Sequence, residues 1–177
     1  MMTDRMAIRS FVAALVLVFV LPLVGAVPWA EAVAAPEGTG LPLPRFVKLR
    51  ASEVNMRTGP GVQYPVEWVY NRRNLPVEVI AEYNTWRKVR DWQGTQGWVH
   101  QSMLGGERAM IIIGKQRTLR TDPDTQSTPI AHVEPGVVGR LVDCPADGGW
   151  CKVELDQHAG WLRRVEFWGV YPGETVK

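Results

Sequence analysis

Trp86-Arg87-Lys88-Val89-Arg90-Asp91-Trp92-Gln93-Gly94-Thr95-Gln96-Gly97-Trp98-Val99 reads as a β-hairpin. Trp86 and Val89 are apolar anchors on the first arm, Gly94 lies in the turn, and Gly97 frees the backbone before Trp98-Val99. The hairpin needs inward anchors, so Trp86 and Trp98 are expected in a core. The same arrangement returns as Trp150-Cys151-Lys152-Val153-Glu154-Leu155-Asp156-Gln157-His158-Ala159-Gly160-Trp161-Leu162. The steps from Met56 to Leu119 and from Trp98 to Trp161 are both 63 residues, and Trp86 to Trp150 is 64. One small unit is therefore written twice, with small shifts in its loops.

Around the first hairpin, Arg45 to Leu49 opens the unit, and Val54 and Met56 alternate with polar residues as on a strand. Gly59-Pro60-Gly61-Val62 predicts a type II turn, with proline second and glycine third. Tyr64 to Tyr70 and Leu75 to Ile80 are further extended runs. In the second unit Ala109 to Ile113 opens, and Thr118-Leu119-Arg120-Thr121-Asp122-Pro123-Asp124 repeats Asn55 to Gly61. Asp124 in place of Gly61 predicts a type I turn there. No stretch after the leader sustains helical periodicity, so the expected fold is all-β, as two tandem small barrels. The predicted boundaries are 1–34 leader, 35–44 linker, 45–105 first barrel, 107–171 second barrel and 172–177 a fraying tail.

Phe11 to Val27 is almost wholly apolar, follows Arg5 and Arg9, and precedes Ala30-Glu31-Ala32-Val33-Ala34-Ala35-Pro36. These are the three regions of a secretory signal, with cleavage expected after Ala34. The apolar run is short for a membrane span and broken by Pro22, so no stable anchor is expected after cleavage. The expected location is the periplasm or the exterior. Pro36 to Pro44, with three prolines and two glycines, reads as an extended, solvated linker. The net charge is +2, and loss of residues 1–34 leaves it there, which argues against nonspecific nucleic-acid binding.

Cys144 and Cys151 flank the Asp147-Gly148-Gly149 turn, where cross-strand pairing is geometrically reasonable, and secretion permits a disulfide. The rival is a cell-wall hydrolase with a cysteine nucleophile and His158 as base, but no lowered pKa or ordered partner is evident. His100, His132 and His158 are scattered, and no spacing resembles a zinc site. Asp122-Pro123-Asp124 reads as turn chemistry rather than a calcium loop. No hydrolase elbow, metalloprotease or phosphate-binding motif occurs. No cofactor is expected, and the protein reads as noncatalytic.

The aromatics are the best candidates for recognition. Trp68 and Tyr70 lie two residues apart, on one face of a strand. If that face is outward, they form with Tyr64 and Trp92 a groove for an extended peptide. Arg72 and Arg73, with Arg87 and Arg90, would rim it and attract carboxylates such as those of peptidoglycan stem peptides. The blander reading is a solvated polar surface.

Val54 to Gly61, Tyr64-Pro65, Trp86 to Val89 and Gly97 to His100 resemble the landmarks of bacterial SH3-like domains. Trp68 to Leu104 closely resembles an exported alphaproteobacterial subfamily, whose second copy is commonly degenerate and carries a Cys-x-Trp-Cys-type element. Here that element runs from Cys144 to Trp150-Cys151. The resemblance implies a pair of small five- or six-stranded barrels, of a wider group whose members often target enzymes to the cell wall or bind peptides. The repeat, the export signal and the absence of catalytic motifs point to a noncatalytic periplasmic binding or scaffolding module, with a cell-wall peptide or an envelope protein as partner. A purely structural two-barrel protein is the remaining alternative.

Overall fold

The structure is a computed structural model describing residues 38–177, so the leader, its cleavage site and the start of the linker lie outside the described residues. The first unit comprises β1 (Arg45–Leu49), β2 (Val54–Arg57), β3 (Val66–Tyr70), β4 (Pro76–Tyr83), β5 (Trp86–Arg90), β6 (Gln96–His100) and β7 (Leu104–Gly105). The second comprises β8 (Ala109–Ile112), β9 (Arg117–Arg120), β10 (Pro129–Val133), β11 (Val138–Asp143), β12 (Trp150–Leu155), β13 (His158–Arg163) and β14 (Phe167–Trp168). A single 3-10 turn precedes β7, at Gln101–Met103, and another precedes β14, at Arg164–Glu166. Both sheets are antiparallel, ordered β3-β2-β6-β5-β4-β1-β7 and β10-β9-β13-β12-β11-β8-β14. Shifting every number of the first order by seven gives the second, so the duplication is complete at the level of topology. Each sheet has seven strands instead of the expected five or six, because the short strand after each 3-10 turn adds to the opening strand of its unit.

Each sheet curls around its own core. Leu49, Met56, Val89 and Val99 are fully buried in the first, and Ile112, Leu119, Val153 and Leu162 fill the same places in the second. The hairpin is present in both, but its inward set differs from the expectation. Arg87 pairs with Val99, and Val89 with Gly97, on the inner face. Trp86, Lys88, Trp98 and His100 occupy the outer face, and both tryptophans are only half-buried. A small barrel has room inside for aliphatic side chains, and the larger indoles cover its outside. Met56 explains the glycine: a Cβ on Gly97 would stand 2.5 Å from Met56 Cγ. The two turns after β2 and β9 also depart from expectation, since they are alike. Gly61 N donates to Gly59 O at 3.0 Å, and Asp124 N to Asp122 O at 2.7 Å. Gly61 does not take positive φ, so an L-residue such as Asp124 fits the same bend.

Cys144 and Cys151 form a disulfide with a Cα–Cα distance of 4.4 Å, fully buried in the second core. Closing so short a loop stabilises by about 2–3 kcal/mol in the chain-entropy model. The tail does not fray. Val176 bridges to Cys144 by two backbone hydrogen bonds of 2.9 and 3.1 Å, and its side chain is buried in the second core.

The two cores meet at β8, which is buried on both faces. Met110 and Ile112 point into the second core, whereas Ile111 belongs to the first. Val138 and Trp168, the cross-strand partners of Ile111, pack with it on that side. Nearby, Phe46 meets Trp168 edge-on at 4.7 Å and Tyr171 at 4.6 Å. The Tyr171 hydroxyl donates to Glu78 Oε1 at 2.8 Å. Burial, reinforced by that carboxylate, pushes the Tyr171 phenol well above its usual range. The barrels therefore share a wall that is apolar and aromatic.

Part of the linker is also held. Thr39 donates its backbone N–H to Glu82 Oε2 at 2.5 Å and its hydroxyl to Oε1 at 2.8 Å. Arg45 pairs with Glu82 at 2.5 Å and Arg87 at 3.2 Å. Burial alone would raise the Glu82 carboxyl, but the Arg45 and Thr39 hydrogen bonds outweigh it and hold the group down to about 2. Because the folded carboxyl titrates below the ordinary 4.5, its contribution is complete above that pH and is lost as pH falls toward 2. Urea midpoints measured at pH 7, 4 and 2.5 are expected to fall for the wild type and to fall less for Glu82→Gln, which starts lower. Parallel declines would place the acid sensitivity elsewhere.

Candidate functional site

The first barrel carries an apolar strip along its edge strand. Val62, Tyr64, Val66, Trp68 and Val69 are all exposed, Trp68 to 52%. They fall within eight residues, on β3 and the loop that leads into it, with Val69 opposite Asn55 on the other face of the strand from Trp68. Trp68 pairs with Met56, and Tyr70 with Val54, so both aromatics begin on the core side of the sheet. Only Tyr70 stays inside, at 4% exposure, whereas Trp68 lies beyond the cover of the core at the sheet edge.

The strip is braced from beneath. Arg57 donates to Val62 O at 3.1 Å and Tyr64 O at 2.7 Å, pinning the loop. A Cβ on Gly59 would lie 2.4 Å from the Tyr64 ring, so this ring rests on bare backbone. The Tyr70 hydroxyl donates to Asp91 Oδ2 at 3.0 Å, and Asp91 Oδ1 accepts the backbone N–H groups of Gln93 and Thr95, each at 2.9 Å. Burial first, then the Asp91 charge and hydrogen bond, push the Tyr70 phenol far above its usual range. Tyr70 is thus a strut that fixes the Asp91–Thr95 loop, not a groove wall. Trp92, in that loop, is half-buried and packs on the first core.

None of the four arginines rims the strip. Arg72 donates to Gly136 O at 2.7 Å across the barrel junction, and Arg73 to Arg50 O at 2.8 Å. Arg87 is buried, with Asn84 O, Trp86 O, Gln101 Oε1 and Glu82 as partners. Arg90 pairs with Glu78. The expected groove therefore resolves into the exposed pair Tyr64 and Trp68, a buried strut, a loop tryptophan, and two arginines at another place. Val62, Val66 and Val69 were missed, although an apolar run on a strand and in the turn before it signalled them.

A second feature occurs in both barrels. On the outer wall Trp98 lies between Arg57 and Lys88 as cross-strand neighbours, and Trp161 lies between Arg120 and Lys152. The aromatic pair Tyr64 and Trp68 has no counterpart in the second barrel, whose edge strand exposes Ile130 instead. One step of 63 residues from Tyr64 is Ser127 and from Trp68 is Ala131, and Val133 and Leu155 stand where Tyr70 and Asp91 meet. Asp122 and Asp124 do turn chemistry, accepting from the Thr121 hydroxyl and the Gln126 N–H. Among the described residues no group of three or more His, Cys, Asp or Glu is placed to hold a metal ion.

Two tandem, curled antiparallel sheets of identical topology, each with a hairpin wall and a turn-led edge strand, define a pair of SH3-like barrels. The family model for the bacterial SH3 domain matches residues 50–106 and again residues 114–169, and the chain belongs to that family. No curated protein matches the chain. Among solved structures, NlpC1 from Trichomonas vaginalis is similar at 11% identity and a TM-score of 0.33, over 77% of this chain and 49% of that one. NlpC2 from the same organism is similar at 13% identity and a TM-score of 0.33, over 71% of this chain and 48% of that one. The chain spans about half the length of each.

Proposed function

We propose that the protein is a noncatalytic binding module of the cell envelope that takes an extended peptide, of the cell wall or of an envelope protein, on the apolar strip of its first barrel. The observation that carries this reading is the exposed aromatic pair Tyr64 and Trp68 at the braced edge of the first barrel, replaced by Ser127 and Ala131 at the corresponding positions of the second. Membership of the bacterial SH3 domain family supports a binding role. An edge strand adds unpaired backbone groups that an extended chain can engage. The disulfide fits an oxidising compartment outside the cytoplasm, and it occupies both thiols that a cysteine hydrolase would need.

Cosedimentation with purified peptidoglycan tests the cell-wall version. The wild type is expected to be retained, and Trp68→Ala to lose about tenfold in affinity, within the range for an aromatic anchor. Ala131→Ser, at the corresponding place in the second barrel, is expected to bind normally. No retention of the folded wild type would refute the cell-wall ligand. Equal retention of Trp68→Ala would refute the strip as its site.

A further inference from the structure

Away from the apolar strip, two adjoining cavities of about 350 and 500 Å³ open at the barrel junction and share Lys48, Arg73 and Asn74 in their walls. Lys48, Arg50, Arg72, Arg73, Arg108 and Arg140 line them, against the acids Glu107, Glu154 and Asp156. Six cations against three acids give a net +3, whereas the whole chain carries only +2. The excess is concentrated on one side of a nearly neutral molecule.

The ion pairs leave much of this charge uncompensated. Glu107 pairs with Lys48, Glu154 with Arg140, and Glu174, from outside the cavities, with Arg108. Among the described residues no carboxylate pairs with Arg50, Arg72 or Arg73. The hydrogen bonds to Gly136 O and Arg50 O fix the arginine stems while leaving other guanidinium N–H groups to a ligand. The buried Arg108 Nε also has no partner. Like charges gathered in a cleft repel, and an anion there relieves the repulsion. Guanidinium groups further offer paired donors that match the oxygens of phosphate and carboxylate.

We propose that the cleft between the barrels binds a polyvalent oxyanion, a phosphate or a cluster of carboxylates, at a site independent of the apolar strip. Isothermal titration of the full chain at constant ionic strength, with inorganic pyrophosphate and separately with citrate, tests it. One site per chain is expected for at least one anion. Tighter pyrophosphate identifies phosphate as the group recognised, and tighter citrate identifies carboxylate. Arg73→Gln, and the double variant Arg50→Gln/Arg72→Gln, are each expected to weaken binding at least tenfold, and Trp68→Ala less than twofold. Arg50 and Arg72 are exposed, so the double variant keeps the test valid should Arg73→Gln disturb the loop it braces. Heats no larger than those of chloride for both anions, or binding within twofold of wild type in the folded double variant, would overturn the proposal.

Discussion

Ile111→Ala is expected to destabilise both barrels together, by about 2–5 kcal/mol, the usual range for truncating a buried isoleucine. Ile111 is 1% exposed and lies in the core of the first barrel although it belongs to a strand of the second. Its removal opens a cavity in one core and loosens the strand that walls the other. Ile112 is equally buried, one residue on, but faces the second core. Ile112→Ala should therefore move the same transition by a similar amount. Differential scanning calorimetry checks this. A single transition is expected in all three proteins, with calorimetric and van't Hoff enthalpies in agreement. Two separated transitions, of which each variant moves only one, would show that the barrels fold independently and that the common wall is incidental.

This wall marks where the sequence is informative and where it stops. The paired hairpins, the repeat step and the disulfide could all be read because each is local, or recurs in a fixed register. Ala109 to Ile113 also carried its signal: an unbroken apolar run, instead of alternation, belongs to a strand covered on both faces. The partner of that second face could not be read. Phe46 and Glu78 come from the first barrel and Trp168 and Tyr171 from the end of the second, with Tyr171 and Glu78 lying 93 positions apart. The tail looked dispensable for the same reason, since its anchor, Cys144, is held through the backbone.

The aromatic site was half legible. Tyr64 and Trp68 are exposed as a recognition surface requires, but shared strand parity did not give Tyr70 the same fate. Parity assigns a face of the sheet, and it does not say where along the strand the core ends. Asp91 decides the matter by offering Tyr70 a buried acceptor. The hairpin shows the converse error. Size favoured Trp86 and Trp98 as anchors, yet alternation had already placed Val89 and Val99 with Arg87 on the inner face. A buried arginine is tolerated there because Glu82 and three oxygen acceptors surround it.

The same alternation makes Gly160→Ala a severe change, about 3 kcal/mol or more, and Gly97→Ala a milder one of about 1–3 kcal/mol. The two glycines are equivalent positions of the two hairpins, and each faces inward beneath the residue that β2 or β9 contributes to the core. At Gly97 the added Cβ would meet Met56 Cγ at 2.5 Å and Sδ at 2.9 Å, with Arg57 O at 3.0 Å. A methionine side chain is unbranched and can swing aside. At Gly160 the Cβ would stand 2.6 Å from Arg120 O and 2.8 Å from both Leu119 Cγ and Ile130 Cδ1. The carbonyl belongs to a paired strand, and Leu119 is branched at the very atom that must yield. Relief at Gly160 thus requires β9 and β13 to separate, which breaks their pairing at Trp161 and Arg120. Urea denaturation of the two alanine variants, with Gly97→Ala/Met56→Ala as a third, resolves the cause. Part of the cost of Gly97→Ala should be recovered once Met56 is shortened, as measured against Met56→Ala alone. Equal costs at Gly97 and Gly160, with no coupling to Met56, would mean that strand backbone conformation rather than side-chain space sets both glycines.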